Sequence, residues 1–156
     1  YGGFVEGWAV YVENLSYGYA AQLTKNEEAA AYIEACRLNR NLHLCLYSYM
    51  DIAIHYDGAT PEQIGRFLEN LGLGQHTNVE TIYEYLVEEP CNYLKYYLGY
   101  LEFLSLKQKA KELWGTDYSD YRFHKFVLET GPSDFRSLDE LITLHSYHSQ
   151  NFGNQS

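Results

Sequence analysis

The chain has 156 residues, a formal net charge of -10 and a pI near 4.9. That balance argues against nucleic acid as a partner, because phosphate binding needs clustered Lys and Arg, and it disfavours an anionic membrane surface. No apolar run reaches the ~20 residues a membrane helix needs, and the three cysteines, Cys36, Cys45 and Cys91, make neither a disulfide framework nor a Cys/His metal spacing.

Apolar residues recur at three- and four-residue spacing throughout, and no hairpin dipeptides flank alternating runs. A first helix is expected from about Phe4 to Thr24. A second runs from about Glu27 to Tyr56, with Ile33, Cys36, Leu44, Met50 and Ile54 on its apolar face and Asp57-Gly58 as its stop. Thr60, Pro61 and Gln63 spell a capping box that opens a helix to about Leu71, ended by Gly72. Thr77 or Asn78 caps the next, which ends near Glu89. Pro90 is expected to open a long helix through Trp114, closed by Gly115. Ser119 caps a helix that stops before Gly131-Pro132, and Ser137 with Glu140 forms a last capping box for a helix to about Ser149, before a frayed tail. There is no internal repeat and no linker long enough to divide the chain, so one all-α, multi-helix domain is expected.

The composition is unusual in its 17 tyrosines. Tyrosine joins a large apolar body to a polar tip, so it suits a wide helical interface and also a groove lined with hydroxyls. Tyr93, Tyr96, Tyr97 and Tyr100 recur at three and four residues on one helical face.

In the segment Phe4 to Glu13, Glu6 and Glu13 share a helical face with Ala9 and Val10 between them. Gly7 sits beside Glu6 at a helix cost of ~1 kcal/mol relative to Ala, which points to close approach by another group. Spacing alone also fits a solvated Glu6 favoured by the helix dipole. His55 stands one turn after Asp51 near a helix end, where it is either oriented by that acid or paired with the dipole. His145 and His148, three apart, are either surface metal ligands or solvated.

Glu6, Gly7, Trp8, Ala9, Tyr11 and Glu13 match every fixed position of the Glu-Gly-Trp-Ala-x-Tyr-x-Glu signature, and the chain thereby resembles the bacterial family filed as domain of unknown function 885. Asp51 and His55, then Pro90, Tyr96 and Gly99, then Phe123, His124 and Gly131 extend the resemblance to about Leu141. The family looks like a branch of helical zinc peptidases carrying HExxH. The resemblance implies a C-terminal part of a larger helical metallopeptidase-like fold, of the gluzincin kind. It implies Glu6 as the third zinc ligand, Tyr96 as an oxyanion donor, Tyr93 as a substrate contact, and His55 and His124 as further catalytic candidates. Its partners would be a peptide substrate and a missing upstream part of the same protein, in keeping with a chain that begins at Tyr1 and has Met50 as its one methionine. The compartment stays open.

The sequence also departs from the pattern. Tyr47 and Leu44 stand where the family has arginines, Lys107 replaces another arginine, and Cys91 stands where glycine is usual. No HExxH occurs, so the chain alone is expected to be inactive and without tight zinc. The alternative expectation is a non-catalytic helical binding or scaffold module that keeps the fold.

Overall fold

Most of the helices begin where a side chain answers their unpaired N–H groups. The computed structural model describes residues 1–152, apart from the side chains of His76 and of residues 146–152. Among the described residues there are seven α-helices and no strand: α1 (Gly2–Leu23), α2 (Glu27–His55), α3 (Pro61–Asn70), α4 (Val79–Glu88), α5 (Asn92–Trp114), α6 (Asp120–Thr130) and α7 (Phe135–Phe152), with 3₁₀ turns at Gly74–His76 and Gly115–Asp117. The expected frayed tail and His148 lie outside the described residues and side chains.

Asn26 caps α2 by accepting from Glu28 and Ala29, and Ser119 caps α6 by accepting from Arg122. The capping box of α3 is complete, with Thr60 N–H donating to Gln63 Oε1 at 2.8 Å and Gln63 N–H to Thr60 Oγ1 at 3.4 Å. Of the two candidates for α4, Asn78 is the cap. Gly58, Gly72, Gly115 and Gly131, the expected stops, all have positive φ.

Two starts differ from expectation. The Asp134 carboxylate caps α7, accepting from the Ser137 backbone at 2.9 Å and its hydroxyl at 2.8 Å, so the helix begins before the Ser137–Glu140 pair. Helix α5 begins at Asn92, because Cys91 has φ +63°, a left-handed conformation that a helix cannot include.

The helices form two compact units, residues 1–13 with 98–156, and residues 14–97. In the first, Phe4, Val10, Tyr11, Phe103, Leu106, Phe123, Val127, Leu138 and Ile142 are buried. Here α1 and α5 touch backbone to backbone. A Cβ built on Gly7 would lie 2.5 Å from Gly99 Cα, and one on Gly99 would lie 2.9 Å from Gly7 Cα. The close approach implied by Gly7 is therefore to the α5 backbone. In the second unit, Met50, Ala53 and Ile54 of α2 pack with Ile64 and Leu68 of α3 and Leu86 of α4.

Gly7→Ala should destabilise by ~2 kcal/mol or more, because backbone cannot move aside as a rotamer can. Gly18→Ala, where no atom lies within 4 Å, should instead stabilise by ~0.5–1 kcal/mol. Cys91→Gly should raise stability by ~0.5–1 kcal/mol, since glycine adopts positive φ without the ~1–2 kcal/mol left-handed penalty. Urea denaturation of the three variants measures all of these.

Candidate functional site

The polar groups of the first unit converge on Tyr11. Its ring is 2% exposed, stacked on Trp8 with centroids 5.1 Å apart and packed against Phe123 at 6.2 Å. Its hydroxyl lies 2.8 Å from His124 Nε2 and accepts from Lys107 Nζ at 3.0 Å. Lys107 also pairs with Asp120 Oδ1 at 3.0 Å, and that oxygen accepts from the Tyr118 hydroxyl. The Trp8 ring meets the His124 ring edge-on at 5.7 Å.

Charge follows these contacts. Burial works against the Lys107 ammonium, but its bonds to Tyr11 and Asp120 overcome this and raise its pKa. The Tyr118 hydroxyl, then Lys107, hold Asp120 below the ordinary carboxylate range. Burial lowers the His124 pKa, with Asp120 opposing and Lys107 adding to the shift.

Glu6 is half-buried on α1, and among the described residues no hydrogen bond or ion pair reaches its carboxylate. Glu6 and His124 thus belong to one unit. His55, Tyr93 and Tyr96 belong to the other.

In that second unit the rings of His43, Tyr47, Tyr85 and Tyr93 cluster. His43 stacks on Tyr47 at 4.3 Å, Tyr47 meets Tyr93 at 4.6 Å, and Tyr85 meets Tyr93 at 6.1 Å. Burial and the neighbouring Tyr85 push the Tyr93 pKa to about 12, so its phenol keeps its proton. Tyr96 is half-buried three residues on. His43 and Tyr47 also line a groove of about 410 Å³, whose apolar walls include Leu46, Met50, Leu68 and Ile82.

His55 is fastened rather than open. Its Nε2 donates to the Leu86 carbonyl at 3.0 Å and stands 3.7 Å from Asp51 Oδ1. Asp51, 1% exposed, accepts from the Cys91 backbone N–H at 3.1 Å and so pins the turn before α5. Its Oδ2 and Ser48 Oγ are buried without a hydrogen-bond partner among the described residues. No hydrogen bond or ring contact joins His55 to Tyr93 among the described residues. His145 packs its ring against Trp114 and Phe126, at 5.6 Å from each.

Residue patterns missed two groups. Lys107 reads in the sequence only as a replaced arginine, and Tyr11 only as a signature position. Their bond joins residues 96 apart in the chain, and the Tyr11–His124 bond joins residues 113 apart, so no local spacing announces either. The His43–Tyr47 stack was accessible, since residues four apart on a helix are neighbours.

Among the described residues no group of three His, Cys, Asp or Glu is placed to hold a metal, and no helix is long and apolar enough to cross a membrane. A family profile described as "Bacterial protein of unknown function (DUF885)" matches residues 1–142. A crystal structure of "the putative lipoprotein from Colwellia psychrerythraea" is similar over 95% of this chain, with a TM-score of 0.74 and 26% sequence identity. The chain spans 24% of that one. No curated protein matches it.

Burial depresses His43 as well, with Arg40 adding to the shift. Both depressed imidazoles, His43 and His124, contribute stability that is present above the ordinary value of 6.5 and lost as pH falls through their folded values. Urea midpoints should therefore drop from pH 7.5 to pH 5, and His43→Asn with His124→Asn should flatten that slope.

Proposed function

The chain belongs to the DUF885 family of bacterial proteins of unknown function, and on that premise we propose that it supplies part of the site of a zinc-dependent peptidase. In this reading the first unit supplies Glu6 as a carboxylate ligand and His124 as a hydrogen-bond donor, and the second supplies Tyr96 as an oxyanion donor and Tyr93 as a substrate contact. His55, engaged with Leu86, orients its surroundings. The observation that carries the reading is Glu6 itself. It is a half-buried carboxylate without a partner among the described residues, on a helix that meets the α5 backbone at Gly7 and Gly99.

A carboxylate without a protein partner is open to a cation that reaches α1. A catalytic zinc takes three protein ligands and keeps one position for water. With no group of three among the described residues, this chain's donors do not fit a complete zinc centre. They fit one arm of it, and the other ligands lie in protein outside these residues. The related crystal structure has room for such a part, because this chain spans only 24% of it. Zinc held there would lower the pKa of its water and polarise a scissile carbonyl. The chain by itself has no peptidase activity in this reading.

One observation favours a second reading, a helical binding module without catalysis. The groove beside His43 and Tyr47 has the size and largely apolar lining of a ligand site.

Zinc per chain, measured on the protein that carries this sequence, separates the two. The peptidase reading expects bound zinc and hydrolysis of a peptide library in the wild type. It expects both to fall at least ~100-fold in Glu6→Gln with the helical circular dichroism unchanged. Equal metal in both proteins, or none in either, removes Glu6 as a ligand and leaves the binding module.

A further inference from the structure

The hydrogen-bond chain around Tyr11 has a direction. An ammonium can only donate, so Lys107 Nζ gives a hydrogen to the Tyr11 oxygen at 3.0 Å. Its positive charge also orders the hydroxyl dipole, with oxygen toward Nζ and hydrogen away from it. His124 Nε2 lies 2.8 Å from the same oxygen, within reach of that hydrogen. A nitrogen that accepts a hydrogen bond carries no hydrogen of its own, so in the neutral ring the hydrogen sits on Nδ1. Among the described residues, none accepts it.

We propose that His124 is preset as a hydrogen-bond donor through Nδ1, by a relay from Lys107 through Tyr11, and that an acceptor oxygen of a carboxylate or carbonyl ligand binds at that nitrogen. The relay gives Tyr11 a positioning role. It also removes Nε2 from use as a base or metal ligand, because either use breaks the bond to Tyr11. The charged and titratable groups facing the relay are Lys107 from α5, Tyr11 from α1, and Asp120 with Tyr118 beside it. Lys107 and Asp120 neutralise one another, which leaves a neutral imidazole as the donor. Burial supports this, since it depresses the His124 pKa and keeps the ring uncharged near neutral pH. The ligand half rests on the donor role given to His124 above, whereas the tautomer is read without zinc or substrate, so its failure and that of the peptidase reading are distinguishable.

Nitrogen-15 NMR of the imidazoles at pH 7.5 reads the tautomer directly. The expected result is an Nδ1–H ring for His124 in the wild type. In Tyr11→Phe, and more weakly in Lys107→Met, the ring should shift toward the Nε2–H form that free histidine favours. Lys107→Met keeps the buried stem and serves if Tyr11→Phe fails to fold. A wild-type Nε2–H ring, or a tautomer that neither variant alters, overturns the relay. Acetate and N-methylacetamide are then titrated as probes of the acceptor. A shift of Nδ1 with acetate alone identifies a carboxylate ligand, one with the amide identifies a carbonyl ligand, and no shift with either overturns the ligand half of the proposal.

Discussion

The contact of Gly7 with Gly99 sets the distance between α1 and α5 in the first unit, and much else there depends on it. Two helices touch at their backbones only where neither carries a side chain. Once they do, the residues one turn to either side are forced together. Phe4 and Trp8 meet Phe103 edge-on at 5.2 and 5.3 Å, and Tyr11 meets it at 6.2 Å. Edge-to-face pairs at such spacing contribute ~0.5–1.5 kcal/mol each beyond the area they bury. Glycine's cost in a helix is offset here by aromatic packing that a side chain at either position would prevent.

The same packing makes the polar relay possible. Tyr11, Lys107 and His124 approach one another because α1, α5 and α6 are held close, with the rings of Trp8, Phe103 and Phe123 packed around Tyr11. Each partner a polar group finds in such a network lowers the cost of taking it from water. Here the ammonium has two oxygen partners, the Tyr11 hydroxyl bridges two nitrogens, and Asp120 takes hydrogens from Tyr118 and Lys107. The arrangement is also why the imidazole stays neutral, for a second positive charge beside Lys107 is opposed by both burial and repulsion.

The second unit uses its acid and histidine differently. Asp51 and His55, one turn apart on α2, reach across to the Cys91 N–H and the Leu86 carbonyl, and so tie the end of α4 and the following turn to α2. Residue spacing makes this pair resemble a catalytic arrangement. In the fold the hydrogen bonds they make go to backbone. The tyrosines divide likewise: Tyr83 donates to the Ala59 carbonyl at 3.0 Å and Tyr93 sits among other rings, while Tyr32 and Tyr56 are exposed.

Local chemistry was enough to determine the helices themselves. Thr60-Pro61-Gln63, Asn26 and Ser119 satisfy orphan N–H groups through their own neighbours, and the glycines at 58, 72, 115 and 131 accept positive φ whatever surrounds them. The signature around Glu6 likewise identified the family, and Gly7 signalled a close approach without saying to what. Tertiary structure decided the rest, because the deciding contacts join residues far apart in the chain. It chose Asp134 over Ser137 as the cap of α7, and held Cys91 in a left-handed turn through a carboxylate 40 residues away. It brought Tyr11 to Lys107 and His124 across 96 and 113 residues, where no spacing rule reaches. A helix start depends on three or four neighbouring side chains, whereas a hydrogen-bond relay depends on where whole helices come to rest.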